Sequence, residues 1–113
     1  MTGRRRIHIA LGVADVGASV ADYSRRLGCP PSVQVPGTYA LWRSEEVNFS
    51  IRHAPDQAGR LRHLGWEDPE AELFTQDTDL NGVTWEVFTA KHQEHEIEAA
   101  WPGWLPPSDL GRR

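Results

Sequence analysis

Residues 7–28 read Ile7-His8-Ile9-Ala10-Leu11-Gly12-Val13-Ala14-Asp15-Val16-Gly17-Ala18-Ser19-Val20-Ala21-Asp22-Tyr23-Ser24-Arg25-Arg26-Leu27-Gly28. In the first seven, Ile7, Ile9, Leu11 and Val13 alternate with His8, Ala10 and Gly12. A period of two marks a strand with one apolar face and one small or polar face. Asp15 follows where a helix N-cap belongs, its carboxylate able to accept from the free amides of the first turn. Val16, Val20, Tyr23 and Leu27 then fall on one stripe of a helix of about three turns. Gly28 is a C-terminal stop, and Pro30-Pro31 forbids continuation. The opening is strand, helix, stop.

Working outward, Val33 and Val35 precede a Pro36-Gly37 turn, and Tyr39 to Trp42 reads as a strand. Ser44-Glu45-Glu46 turns the chain into a further strand, with Val47, Phe49 and Ile51 on one face and Asn48, Ser50 and Arg52 on the other. Residues 6–53 therefore predict a complete βαβββ module. The polar stretch from Ala54 to Arg60, broken by Pro and Gly, predicts a linker. Leu61 to Trp66, a short Leu73 to Thr75, and Val83 to Thr89 predict three more strands, with a tight Asp79-Leu80-Asn81-Gly82 turn before the last. Lys91 to Ala100 predicts a polar helix, broken by Trp101-Pro102-Gly103-Trp104. The segment from Leu105 to Arg113 reads as a flexible tail. A weak echo links the halves: Arg6-Ile7-His8-Ile9 is matched by Arg62-His63-Leu64. The expected fold class is α+β: one domain over 1–113, whose βαβββ module forms a curved mixed sheet with a helix on one face. A shortened second module over 61–90, without an internal helix, completes it.

The 113 residues suffice for one core, and 39% hydrophobic with 25% charged residues is a globular composition. No apolar run can span a bilayer. A net charge of −4 and a single lysine, Lys91, leave no basic surface for a nucleic-acid backbone. Arg4, Arg5 and Arg6 read as a solvated N-terminal arm. One cysteine, Cys29, excludes an intramolecular disulfide and a four-cysteine zinc site, and the expected setting is cytoplasmic. Cys29 itself reads as a small, half-buried residue, because no local base or cation activates it.

The chemistry-bearing residues are His8, His63 and Glu86, each on the polar face of its predicted strand. Imidazole and carboxylate are ligands that borderline divalent metals take, and two His with one carboxylate leave positions open for water or substrate. Their scatter along the chain forms no motif by spacing, so a structural role is the competing reading. Tyr39, Trp42 and Arg52 are candidates to line a pocket, Arg52 by pairing with a carboxylate or phosphate. Tyr39 and Trp42 lie three apart and so face opposite sides of a strand, with at most one pointing inward. His53, His92 and His95 read as solvated, and Trp85 as core.

The stretch His8-Ile-Ala-Leu-Gly-Val-Ala-Asp-Val-Gly-Ala-Ser-Val-Ala-Asp-Tyr-Ser-Arg-Arg-Leu-Gly28 resembles the opening of the vicinal oxygen chelate superfamily, which includes glyoxalase I, extradiol dioxygenases and the fosfomycin- and bleomycin-resistance proteins. Asp79-Leu-Asn-Gly-Val-Thr-Trp-Glu-Val-Phe88 resembles its closing turn and strand, with Leu80 in place of the usual Pro. Val47-Asn-Phe-Ser-Ile51 is similar to the fourth strand of its dioxygenase-like and organoarsenical-lyase branches, and His63-Leu-Gly to the first strand of its second module. The resemblance implies a metal site on His8, His63 and Glu86, for Fe, Mn, Ni or Zn and with no organic cofactor. The strand that elsewhere gives a fourth, acidic ligand offers only Asn48, Ser50 and Arg52 here, which points to a three-residue facial site rather than the two-His, two-Glu arrangement. Asn48, Ser50, Arg52 and Trp42 are the expected ligand-binding residues. The implied activity is a lyase, isomerase or dioxygenase acting on a small oxygen-bearing ligand; the alternatives are a metal-free sequestration protein of the bleomycin-resistance type and a purely structural or interaction domain. The short second half leaves the cavity incomplete within one chain. A homodimer is therefore expected, with Glu94 to Trp104 packing across a two-fold interface or onto a sheet edge. His8 and Glu86 are expected on a wet concave face, where truncation to Ala leaves the fold intact.

Overall fold

The computed structural model describes residues 4–106. Its elements are β1 (Arg6–Val13), α1 (Val16–Leu27), β2 (Val33–Val35), β3 (Tyr39–Arg43), β4 (Val47–His53), β5 (Leu61–Glu67), β6 (Thr75–Thr78), β7 (Thr84–Phe88) and α2 (Ala90–Ala100), with a single 3-10 turn at Pro55–Gln57. The seven strands form one mixed sheet in the order β2-β3-β4-β1-β5-β7-β6. β1 runs parallel to β4 and antiparallel to β5, and β5 runs parallel to β7.

Local chemistry sets the first module as the sequence predicts. The Asp15 side chain accepts from the Ala18 amide at 3.0 Å, and Gly28 closes α1 in the left-handed region at φ 78°. Val16, Val20 and Tyr23 of α1 pack on Val13, Ala40, Trp42, Phe49 and Ile51. Leu27, the last member of the stripe, is 37% exposed and takes no part in that cluster.

The register shows what the echo between the halves means. Ala10 faces Ser50 across β1 and β4, and Gly65 faces Glu86 across β5 and β7. His8 pairs with Gly65, and Ala10 with His63. A pseudo-two-fold thus relates β1 to β5 and β4 to β7, placing His8 opposite His63 and Ser50 opposite Glu86. The second module has three strands and no helix between them.

Several expectations need correction. Tyr39 and Trp42 do face opposite sides of β3, but both are buried, at 7% and 0% exposure. The sheet is covered on both faces here: α1 lies over Trp42, while Ile97 of α2 packs on Val33, Val35, Tyr39 and Leu41. Of the two placements expected for the segment from Glu94 to Trp104, the sheet edge is the one seen: Ile97 and Trp101 pack on the edge strand β2 and on β3. Leu105 also packs against that cluster, and the rest of the expected tail, 107–113, lies outside the described residues. The strand expected at Leu73–Thr75 begins two residues later and runs over Thr75–Thr78, because its register is set by pairing with β7 and leaves Leu73 and Phe74 exposed. Trp85 is half-buried rather than core; no helix covers that face of β7, and its indole N–H donates to Asp79 Oδ2 at 2.9 Å. Arg6 is no solvated arm: it belongs to β1 and pairs with Glu67.

Candidate metal centre

Period two sends His8 on β1, His63 on β5, Glu86 and Phe88 on β7, and Asn48, Ser50 and Arg52 on β4 to the same side of the sheet, away from α1. α2 lies over this side. Between them is a cavity of about 160 Å3, lined by residues that include His8, Ser50, Arg52, Arg62, His63 and Glu86.

The nearest donor atoms of His8, His63 and Glu86 all fall within 4.8 Å of one another, and this is the group of His, Cys, Asp or Glu among the described residues that can hold a metal ion. His8 Nε2 lies 2.9 Å from His63 Nε2, and His63 Nε2 lies 3.2 Å from Glu86 Oε1. Two donors each ~2.1 Å from one ion and at right angles stand ~3.0 Å apart, so these edges fit a metal's coordination shell. Three residues scattered over the sequence meet because they sit on adjacent strands of one sheet face.

A buried polar network behind the cluster fixes the state of His8. Glu67, 3% exposed, takes a two-pronged ion pair from Arg43 at 2.7 and 2.6 Å and a third contact from Arg6 at 3.0 Å. Burial pushes the Glu67 carboxyl up, but the hydrogen bonds from Arg43 and Asn48 and the two guanidinium charges outweigh it and hold it below the usual range. An ionised carboxylate only accepts, so Asn48 must present Nδ2 to it, at 2.9 Å. The same amide exchanges paired hydrogen bonds with Gln93 of α2. Asn48 Oδ1 is left facing His8 Nδ1 at 2.9 Å, with the Asn48 carbonyl at 3.1 Å. His8 Nδ1 therefore carries the proton and donates it, and the Nε2 lone pair points at His63. Burial first, and then the nearby His63 charge, keep the His8 pKa below its ordinary value against the opposing pull of Asn48 and Glu86. The ring is a neutral ligand at neutral pH.

Gly65 has a defined part in this geometry. A Cβ there would stand 2.2 Å from the Glu86 backbone oxygen, so only glycine lets β7 approach β5 closely enough to bring Glu86 to His63.

Of the ligand-binding residues expected from sequence, Ser50 and Arg52 line the cavity. Asn48 is fully buried behind His8, and Trp42 lies on the far side of the sheet under α1 with its indole N–H on Ser24 Oγ, so neither lines the cavity. His8 is 3% exposed and not on a wet face, because α2 covers it. Arg62, Gln93, Glu96 and Trp101 of the lining were not singled out. No local signal marked Arg62, because alternation sends the neighbour of His63 to the opposite face and only the bulge opposite Ala10 and Leu11 brings it to the cavity; nor did one mark the α2 residues, because nothing local says which face of the sheet that helix covers.

No protein-family model matches the chain, and no curated protein matches it. Among solved structures it is similar to a glyoxalase / bleomycin resistance protein from Catenulispora acidiphila DSM 44928, at 25% identity and a TM-score of 0.41, covering 73% of this chain and 93% of that one. Among the described residues no helix is long and apolar enough to cross a membrane.

Proposed function

We propose that this chain is a protein of the vicinal oxygen chelate type that holds a divalent metal ion on His8, His63 and Glu86 and presents it to a small oxygen-bearing ligand. The observation that carries the reading is the meeting of these donors from three strands, with the His8 lone pair directed at the cluster. When bound, such an ion supplies Lewis acidity toward adjacent ligand oxygens, or dioxygen chemistry if it is iron; lyase, isomerase or dioxygenase activity are the classes in reach. The chain's own part is definable. His8 is held in one tautomer by Asn48. His63 offers the cluster its Nε2, 2.9 Å from His8 Nε2 and 3.2 Å from Glu86 Oε1. Phe88, edge-on to His8, and Ile97 keep one wall of the cavity apolar.

One observation favours a second reading, a metal-free binding protein: His63 Nε2 also lies within hydrogen-bonding distance of both His8 Nε2 and Glu86 Oε1, so the three side chains hold together without an ion. Metal analysis of untagged protein purified without chelator separates the two. Stoichiometric Fe, Mn, Ni or Zn, lost in His8→Ala and Glu86→Gln, is the expected result; folded protein that never takes up metal would give the binding role precedence. A homodimer and a cytoplasmic setting belong to the same proposal, the latter consistent with a lone, half-buried Cys29.

A further inference from the structure

The cavity has a cationic end that the metal reading does not use. Arg52 on β4 and Arg62 on β5 both line it, and neither guanidinium forms an ion pair among the described residues. Arg52 Nε is buried without a hydrogen-bond partner, the one such side-chain atom among the described residues. An orphaned N–H on a charged group is costly to bury, which points to a partner that enters from outside. Trp101 sits under the Arg52 guanidinium at 4.9 Å and stacks on Tyr39 at 4.7 Å, so the fork is backed by a rigid aromatic wall. Burial, and then the adjacent Arg52 charge, hold the Arg62 pKa below its ordinary value, as expected for two cations facing one space. Glu86 and Glu96 act on the pair only at longer range.

We propose that Arg52 and Arg62 bind the carboxylate of a small organic acid whose neighbouring carbon carries an oxygen, the acid group at the arginines and that oxygen toward His8, His63 and Glu86. A guanidinium fork matches a planar carboxylate in two-point contact. The size of the cavity limits the ligand: about 160 Å3 is close to the ~150 Å3 that in an apolar interior takes a single benzene ring, so the acid has at most on the order of ten heavy atoms. The inference rests on reading this cavity as the ligand site, but not on the metal.

The test is calorimetric titration of the full chain at low ionic strength, chelator-stripped and then Mn-loaded, with glycolate, acetate and inorganic phosphate. Glycolate and acetate are expected to bind the stripped protein, and Arg52→Gln and Arg62→Gln each to weaken them by roughly tenfold or more. Arg52→Lys, which keeps the charge and loses the fork, should restore only part, and it replaces Arg52→Gln if that variant does not fold. Metal should add affinity for glycolate over acetate. Carboxylate binding unchanged in the arginine variants overturns the proposal, as does the absence of carboxylate binding in both metal states. Phosphate bound more tightly than either acid overturns the carboxylate assignment. Arginine-dependent binding in a protein that loads no metal leaves this proposal standing and removes the metal reading; metal loading without carboxylate binding does the reverse.

Discussion

At the scale of single residues, position in the sheet decides what each polar side chain can do. His8, taken from sequence as a wet-face ligand, is a buried hydrogen-bond donor in the structure, so His8→Ala should lower stability by about 1–3 kcal/mol as well as abolish metal uptake. Urea unfolding measures the first effect, and an unchanged midpoint would contradict the burial. Gly65→Ala should push Glu86 away from His63 and cost metal affinity by roughly 10–100-fold, the range typical of disturbed supporting groups. A competition titration with a chromophoric chelator would read this directly. Glu67 gives the pH dependence. Its folded-state pKa lies below the ordinary glutamate value of 4.5, so its contribution is present above that pH and is lost as pH falls through the depressed folded value. Wild-type unfolding midpoints should therefore drop steeply with acid below about pH 4.5, and Glu67→Gln, weaker at neutral pH because it leaves Arg43 without its carboxylate, should show a shallower slope.

At the scale of elements, α2 decides whether the concave side of the sheet is a surface or a cavity. Thr89 caps it, its hydroxyl accepting from the His92 amide while His92 Nδ1 accepts from the Thr89 amide, so a histidine that reads as solvated has a capping role. Little else in α2 is apolar. Ile97, 3% exposed, and Trp101 just beyond it anchor the helix to β2 and β3. Ile97→Ala should cost about 2–5 kcal/mol and loosen the lid over His8. Hydrogen exchange would register it as faster exchange at His8 and Asn48, with α1 unaffected because it lies on the opposite face. A uniform change across both faces would mean that α2 and the first module unfold as one unit.

At the scale of the whole molecule, coverage is uneven. α1 shields β3 and β4, but Ile7, Ile9, Leu64, Trp66, Trp85 and Val87 lie on the continuation of that face, all half-buried, where the Arg5 guanidinium lies over Trp66 and no helix of the described residues packs. A helix within the second module would have covered them. A two-fold related copy covers such a patch with itself, and the proposed dimer is placed there rather than on the C-terminal segment. Sedimentation should give twice 12.7 kDa at micromolar concentration, reverting to monomer in a Trp66→Glu, Trp85→Glu double variant. A monomer in the wild type would remove the dimer.

The sequence by itself determined the first module, the glycine and aspartate punctuation, the faces of β1, β4 and β7, and the three candidate metal ligands. Each of these is carried by local signals: a period of two, a helical stripe, a cap, a left-handed glycine. His8 and His63 could be named because alternation assigns a side chain to a face within its own strand. That these faces belong to one surface, that Ser50 is the counterpart of Glu86, and that Asn48 holds His8 from behind instead of lining the cavity depend on strand order and register, which no single strand encodes. Tyr39 and Trp42 are both buried because α1 covers one face of β3 and α2 the other, and α2 is a polar helix whose destination is set by one isoleucine and one tryptophan. The pairing of Arg52 with Arg62 across one cavity also came only from the tertiary structure, because it joins two modules through β1, to which both of their strands are hydrogen-bonded.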